Sequence, residues 1–289
     1  MHLSGIALGT TYQITYLSGE RANYDLEIAL LFRQFCQSLS VFELNSELSQ
    51  FNRKGRFTFN SPYFYPVLRE SARIVGLTDG AFDPTVGALI EANGFGRAGR
   101  SVGLFAQPDG VVTTIGFTHI WFDEEHVERT HPDVQLNFNA TAKGYAVDVV
   151  GQFLKERDID HYLIELGGEV RCRGLNPQHQ PWCIGIESPT NDSELSTTIL
   201  LMNKALATSG TYLNRYEQNG IEYHHLINPR TGQMAVSDLL SVTVVADNCL
   251  TADALATAFM VMGAEETRQF LARNPQWQAH LITDPTFAL

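Results

Sequence analysis

Apolar side chains recur along this chain with two different periods, and their order predicts a mixed α+β fold. Residues 6 to 16, IALGTTYQITY, alternate as one strand does. Ile28, Leu31, Phe32, Phe35 and Leu39 then follow a helical spacing, and a second helical run near 65 to 78 ends at Gly80. Tyr145, Ala146, Val149, Val150, Phe153 and Leu154 fix a helix inside the segment 137 to 158. Short strands are expected near 162–166, 169–174, 183–188, 197–202 and 221–227, spaced as hairpins are. A strand at 241–246 leads into the apolar run TADALATAFMVMG (251–263), another helix covers about 265–273, and a last strand runs near 279–283. Strands and helices do not alternate as regular βαβ units, which favours α+β over a doubly wound sheet. No repeat, low-complexity tract or long linker breaks the pattern, so residues 1–289 read as one large domain of mixed sheets with packed helices.

Composition narrows the function. Hydrophobic residues make up 44% of the 289, which excludes a disordered chain. The formal net charge is −12 and Lys and Arg are not clustered, which argues against a nucleic-acid partner. An anionic ligand would therefore be held locally, by helix N-termini, a lysine and a divalent cation. Cys36, Cys172, Cys183 and Cys249 show no CxxC spacing and are expected as four reduced core thiols. The opening MHLSGIALGT carries no signal-peptide pattern, and no stretch reaches the roughly 20 apolar residues of a membrane span, so a cytoplasmic protein without a membrane segment is expected.

Four segments carry candidate chemistry. Asp253 and Thr257 lie four apart in a helical run, so both oxygens share one face, as half of a magnesium site would. The plain alternative is a Thr bonded to the preceding turn and an Asp serving the helix dipole. In NFNATAKGYAVDVV, residues Ala140 to Lys143 sit at the positive end of a helix, where phosphates bind; Lys143 simply solvated is the other reading. HHLINPRTG (224–232) is a strand ending in a Pro-containing turn, with paired histidines of either structural or catalytic use. In IELGGEV (164–170), Gly167 and Gly168 either let a backbone approach a ligand or turn a hairpin, and Glu169 is either a ligand contact or a solvated carboxylate. Ser46 in SELSQFN reads as a helix cap, and Trp182 as a strand anchor.

Taken in order, these segments resemble the ApbE family of FAD:protein FMN transferases over nearly the whole chain. IALGTTYQITY (6–16), VFELNSELSQFN (41–52), FDPTVGALIEANGFG (82–96), ALATSGTYLNRYEQNG (205–220) and SVTVVADNCLTADALATAFMVMG (241–263) extend the resemblance. It implies a T-fold-like arrangement of sheets and helices, FAD as substrate, and a partner flavoprotein whose Thr or Ser hydroxyl receives FMN while AMP is released. It further implies Mg2+ held by Asp253, Thr257 and the backbone carbonyl of Ala140, with His225 as the base. FAD contacts would come from Leu8, Phe42, Asn93, Gly94, Phe95, Asn137, Lys143, Gly167, Gly168, Ile227 and Ala256. The chain departs from the family's usual pattern at Leu8 (often Met), Phe42 (often Tyr), Asn93 (often Trp) and Asn137 (often Asp), and it shows no lipoprotein signal of the kind many relatives carry, from which a cytoplasmic form is expected. A non-catalytic FAD-binding protein and a pyrophosphatase yielding FMN and AMP are the alternatives.

Overall fold

A computed structural model of the chain describes all residues except 20–21, 98–114, 190, 212–214, 219–220 and 288–289, so part of the 205–220 segment lies outside the described residues. The opening apolar alternation is not one strand but a hairpin: β1 (His2–Ala7) and β2 (Thr10–Tyr16) pair antiparallel around Leu8 and Gly9. Both turn residues have positive φ, 48° at Leu8 and 78° at Gly9, the conformation of a two-residue hairpin turn. Asn-Gly is the usual signature of such a turn, and Leu-Gly hides it. Then come α1 (Asp25–Leu39), α2 (Glu47–Lys54), β3 (Arg56–Thr58), α3 (Phe64–Leu77), α4 (Gly87–Ala92), β4 (Ile120–Phe122), β5 (His126–Arg129) and α5 (Ala142–Lys155). As expected, the Ser46 side chain caps α2, accepting from the Ser49 amide at 3.0 Å.

The next run is β6 (Tyr162–Leu166), β7 (Glu169–Arg173), β8 (Trp182–Ser188), β9 (Asn191–Leu201), β10 (Ala205–Gly210), β11 (Arg215–Gln218) and β12 (Ile221–His224). It closes with β13 (Ile227–Asn228), β14 (Gln233–Met234), β15 (Leu239–Ala246), α6 (Cys249–Arg273) and β16 (Gln278–Thr283). The strand expected over 221–227 is thus split between β12 and β13, whose partners differ. The two helices expected at 251–263 and 265–273 run together as α6, with a kink at Gly263 (φ 76°, ψ 176°) where only glycine is comfortable.

Seven strands form the main sheet in the order β1-β2-β6-β7-β10-β15-β16, antiparallel throughout. Alternation along the strands sends side chains to two different layers. Ile14, Ile164, Ala205, Ala207, Val242 and Val244 face the main core, which α1, α5 and α6 cover with Phe35, Val147, Val150, Ala252 and Phe259. Val170, Cys172 and Leu206 point to the opposite face, where the β8–β9 hairpin lays Trp182, Ile186 and Leu201 against them. The nearly unbroken apolar character of the first half of α6 follows from its place inside this core. Cys172 and Cys249 are buried and Cys36 partly so, but Cys183 is exposed, because its position in β8 points away from the layer that Trp182 and Ile186 fill.

Candidate functional site

Two helices cross near their N-terminal ends at the site, and a carboxylate of each holds the other's first turn. Asp148 of α5 accepts from the amides of Cys249 (2.9 Å) and Leu250 (2.8 Å) in the first turn of α6, and its charge is answered by Arg171 of β7 at 2.5 Å. In return Asp253 of α6 accepts from the amide of Gly144 in the first turn of α5 at 3.0 Å. Helix starts carry amides without internal partners, and a carboxylate there gains both a hydrogen bond and the helix dipole. The helices touch at Gly144, where a Cβ would lie 2.4 Å from the Cys249 carbonyl oxygen and 2.8 Å from the Asp253 Cβ. The glycine in AKGYA is therefore a packing requirement at the site itself.

A cavity of about 810 Å³ opens against this junction. Lys143 projects into it and donates to Glu169 Oε1 at 2.6 Å and to the Gly167 carbonyl at 3.3 Å. Asp253 and Thr257 line the same wall, with the Thr257 hydroxyl 3.3 Å from the Ser209 hydroxyl of β10. Glu169 is 1% exposed, and its second oxygen, Oε2, has no partner among the described residues. It is not the solvated hairpin carboxylate that was one reading of IELGGEV. Burial, then the nearby Asp253 charge, push the Glu169 carboxyl up to about 8, with Lys143 pulling the other way. Burial likewise raises Asp253 to about 6 against the pull of Lys143. Burial also works against the Lys143 charge, but Glu169 and Asp253 outweigh it and hold the ammonium's pKa above its ordinary value.

Two carboxylates around one ammonium leave an excess negative charge when all three are ionised, and one carboxylate oxygen has no partner. With Glu169 raised to about 8, its own proton relieves that excess near neutral pH, and a bound cation would do so once that proton is lost. Among the described residues no cluster of three or more His, Cys, Asp or Glu side chains is placed to hold a metal, so a cation here would rely on Asp253 with hydroxyl and backbone oxygens. Asp253, Thr257 and Ala140 share the cavity wall, an all-oxygen set that suits magnesium, which keeps positions for water and phosphate. The residues present fit that ion.

The wall brings together Leu8, Phe42, Phe95, Asn137, Ala140 and Lys143 with His225, Ile227, Asp253 and Thr257. His225 faces the cavity with its ring edge-to-face with Phe95 at 6.3 Å, whereas the His224 Nδ1 accepts from the Leu226 amide at 3.3 Å. Five other expected contacts do not line the wall. Gly167 and Gly168 (φ 56° and 95°) make the tight β6–β7 turn, and Gly167 meets the site only through its carbonyl. Ala256 is fully buried, one position off the helix face that Asp253 and Thr257 present. Asn93 and Gly94 end α4 and deliver Phe95 to the wall. Asn137 uses its side-chain oxygen to accept from the Asn139 amide at 2.8 Å, an Asx turn that shapes the entry to α5.

The site is an oxygen-lined, lysine-bearing cavity beside two helix N-termini on an antiparallel α+β scaffold, a setting whose chemistry suits phosphate oxygens. The chain belongs to the ApbE family, whose sequence model matches residues 8–281. It is 37% identical over 284 residues to the FAD:protein FMN transferase of Vibrio cholerae, covering 92% of this chain and 82% of that one. The Haemophilus influenzae FAD:protein FMN transferase is 32% identical, over 94% of this chain and 83% of the relative. Among solved structures, the flavin transferase ApbE from Vibrio cholerae matches with a TM-score of 0.89 at 34% identity, covering 99% of this chain and 94% of that one. The apo form of Pseudomonas stutzeri flavinyl transferase ApbE matches with a TM-score of 0.87 at 29% identity, over 98% and 91% of the two chains.

Proposed function

We propose that this chain transfers FMN from FAD to a Thr or Ser hydroxyl of a partner flavoprotein, with magnesium in the site and AMP released. The observation that carries this reading is the convergence of Lys143, Asp253, Thr257 and His225 on one cavity large enough for a dinucleotide. In the reaction the acceptor oxygen bonds to the FMN phosphorus, the bond from that phosphorus to the bridging oxygen breaks, and AMP leaves with the bridging oxygen. Lys143 neutralises pyrophosphate oxygens, held in place by Glu169 and the Gly167 carbonyl. His225 takes the hydroxyl proton. Asp253, Thr257 and the Ala140 carbonyl would hold magnesium, which, when bound, screens the phosphate charge against the incoming oxygen. Incubation with FAD, magnesium and a flavin-free acceptor domain tests the reading: a mass increase of one FMN on the acceptor supports it, and free FMN without labelling supports the pyrophosphatase alternative.

Leu8 gives a separate test of how the flavin end is held. A Leu at φ 48° is unfavourable by about 1 kcal/mol, yet the turn aims this apolar side chain into the cavity. Leu8→Asn suits the turn better and should leave Tm within about 2 °C while weakening FAD binding about tenfold, as loss of an apolar contact does. Unchanged affinity in a calorimetric titration would remove Leu8 from the flavin contact.

Asn137 is expected to be a tolerated departure. Its oxygen already makes the Asx turn that an Asp would make. Asn137→Asp should keep the FAD dissociation constant and the labelling rate within about threefold of the parent. A rise well beyond that would mean that the site needs charge at this position.

A further inference from the structure

Transfer of FMN to a protein needs an access route for a polypeptide, and one edge of the main sheet runs up to the cavity. β1 is an edge strand of the seven-stranded sheet. The Met1 amine donates to the Tyr16 carbonyl at 2.7 Å and the Tyr16 amide to the Met1 carbonyl at 3.0 Å, so Met1 and Tyr16 are a hydrogen-bonded pair. The antiparallel period then makes Leu3, Gly5 and Ala7 the residues bonded to β2, and turns the backbone N–H and C=O of His2, Ser4 and Ile6 outward. None of those outward groups has a backbone partner among the described residues. Edge strands are usually guarded by charge, proline or a bulge, but β1 reads HLSGIA, with no Lys, Arg, Asp, Glu or Pro and an unbroken register.

Two further observations say what this edge is for. β1 ends directly at Leu8 and Gly9, which line the cavity, so its roughly 20 Å run leads to the reaction site. Two apolar side chains along this route are exposed: Ile6, two residues before Leu8, is 82% exposed, and Phe42, itself in the cavity wall, is 55% exposed. The geometry points to β1 as the docking edge for the acceptor: an extended segment of the partner flavoprotein pairs with His2, Ser4 and Ile6, packs apolar side chains on Ile6 and Phe42, and carries its Thr or Ser into the cavity past Leu8. This inference rests on the transferase reading for the identity of the occupant. Main-chain pairing supplies affinity without demanding a sequence, and the apolar positions supply selection.

The test uses Ser4→Pro. The lost N–H points outward, so the β1–β2 ladder is kept while the centre of the free edge can no longer donate. The probe is a flavin-free domain that carries FMN on a threonine when isolated from cells. Adding it to the parent chain should slow hydrogen exchange of the His2, Ser4 and Ile6 amides. Ser4→Pro should raise the acceptor KM roughly tenfold, with the FAD dissociation constant within about twofold. Ile6→Lys should move the acceptor KM in the same direction, and it serves if the proline variant does not fold. A folded variant with unchanged acceptor KM overturns the inference, as does a parent dimer that Ser4→Pro dissociates without affecting transfer, which would give the edge to a second copy. If the parent chain protects these amides but labels no acceptor, the docking edge stands and the transferase reading falls. If labelling proceeds with no protection at β1, the docking edge falls alone.

Discussion

Asp253→Asn is expected to lower FMN transfer by about a thousandfold or more, because it removes the one ionised oxygen donor of the proposed magnesium site while leaving an oxygen that can still accept from Gly144. The choice of Asn separates the two tasks of this residue. Ala would also strip the cap from α5, mixing a folding defect with a chemical one. A second measurement reads the same site without turnover. Burial sets the folded-state pKa of Asp253 at about 6 and that of Glu169 at about 8, both above exposed carboxylates, so the folded chain binds protons more tightly than the unfolded one. Metal-free stability then falls as pH rises from about 4 through the folded pKa values, and these two groups contribute nothing further above about 8. Magnesium held at Asp253 as proposed would compete with those protons, so its stabilising effect on Tm should be larger at pH 8 than at pH 5, and should nearly vanish in Asp253→Asn. Undiminished magnesium stabilisation in that variant would place the ion elsewhere.

How much of this site could be seen in the amino-acid order depends on the range of each contact. Asp253 and Thr257 were legible because a helix fixes the relation of positions four apart, whatever surrounds it. The N-terminal placement of Lys143 was legible for the same reason. Glu169 was not, because its fate is decided by a residue 26 positions away: only when β7 passes beneath α5 does the carboxylate lose water and gain Lys143. Asp148 was missed altogether. Its helical position in α5 reads as an ordinary polar site, and its role as the cap of α6, 101 and 102 residues on, exists only after the helices dock. The glycine at 144 was the one available signal of that close approach, in a helix where alanine would otherwise be preferred. The β1–β2 turn was misread because strand alternation continues through Leu8 while the turn chemistry there is atypical. The same departure that obscured the turn is what places an apolar side chain in the cavity.

His225→Asn is expected to slow transfer by roughly two to four orders of magnitude with FAD affinity almost unchanged, the range typical of losing a general base. The neighbouring histidine is the control that the structure supplies. His224 turns its Nδ1 back to the Leu226 amide, a local bond that holds the bend between β12 and β13. His224→Asn should therefore cost stability more than rate, within about tenfold of the parent in transfer. His225 sits in the cavity wall against the Phe95 ring, so its imidazole is oriented by an aromatic edge. Phe95→Leu should lower the rate less than His225→Asn does, by loosening the ring without removing it. A base and a binding residue separate in the kinetics: His225→Asn should lower kcat while the FAD dissociation constant and the acceptor KM stay within about threefold of the parent. A loss carried by KM with kcat kept would assign His225 to binding and leave the proton to another group.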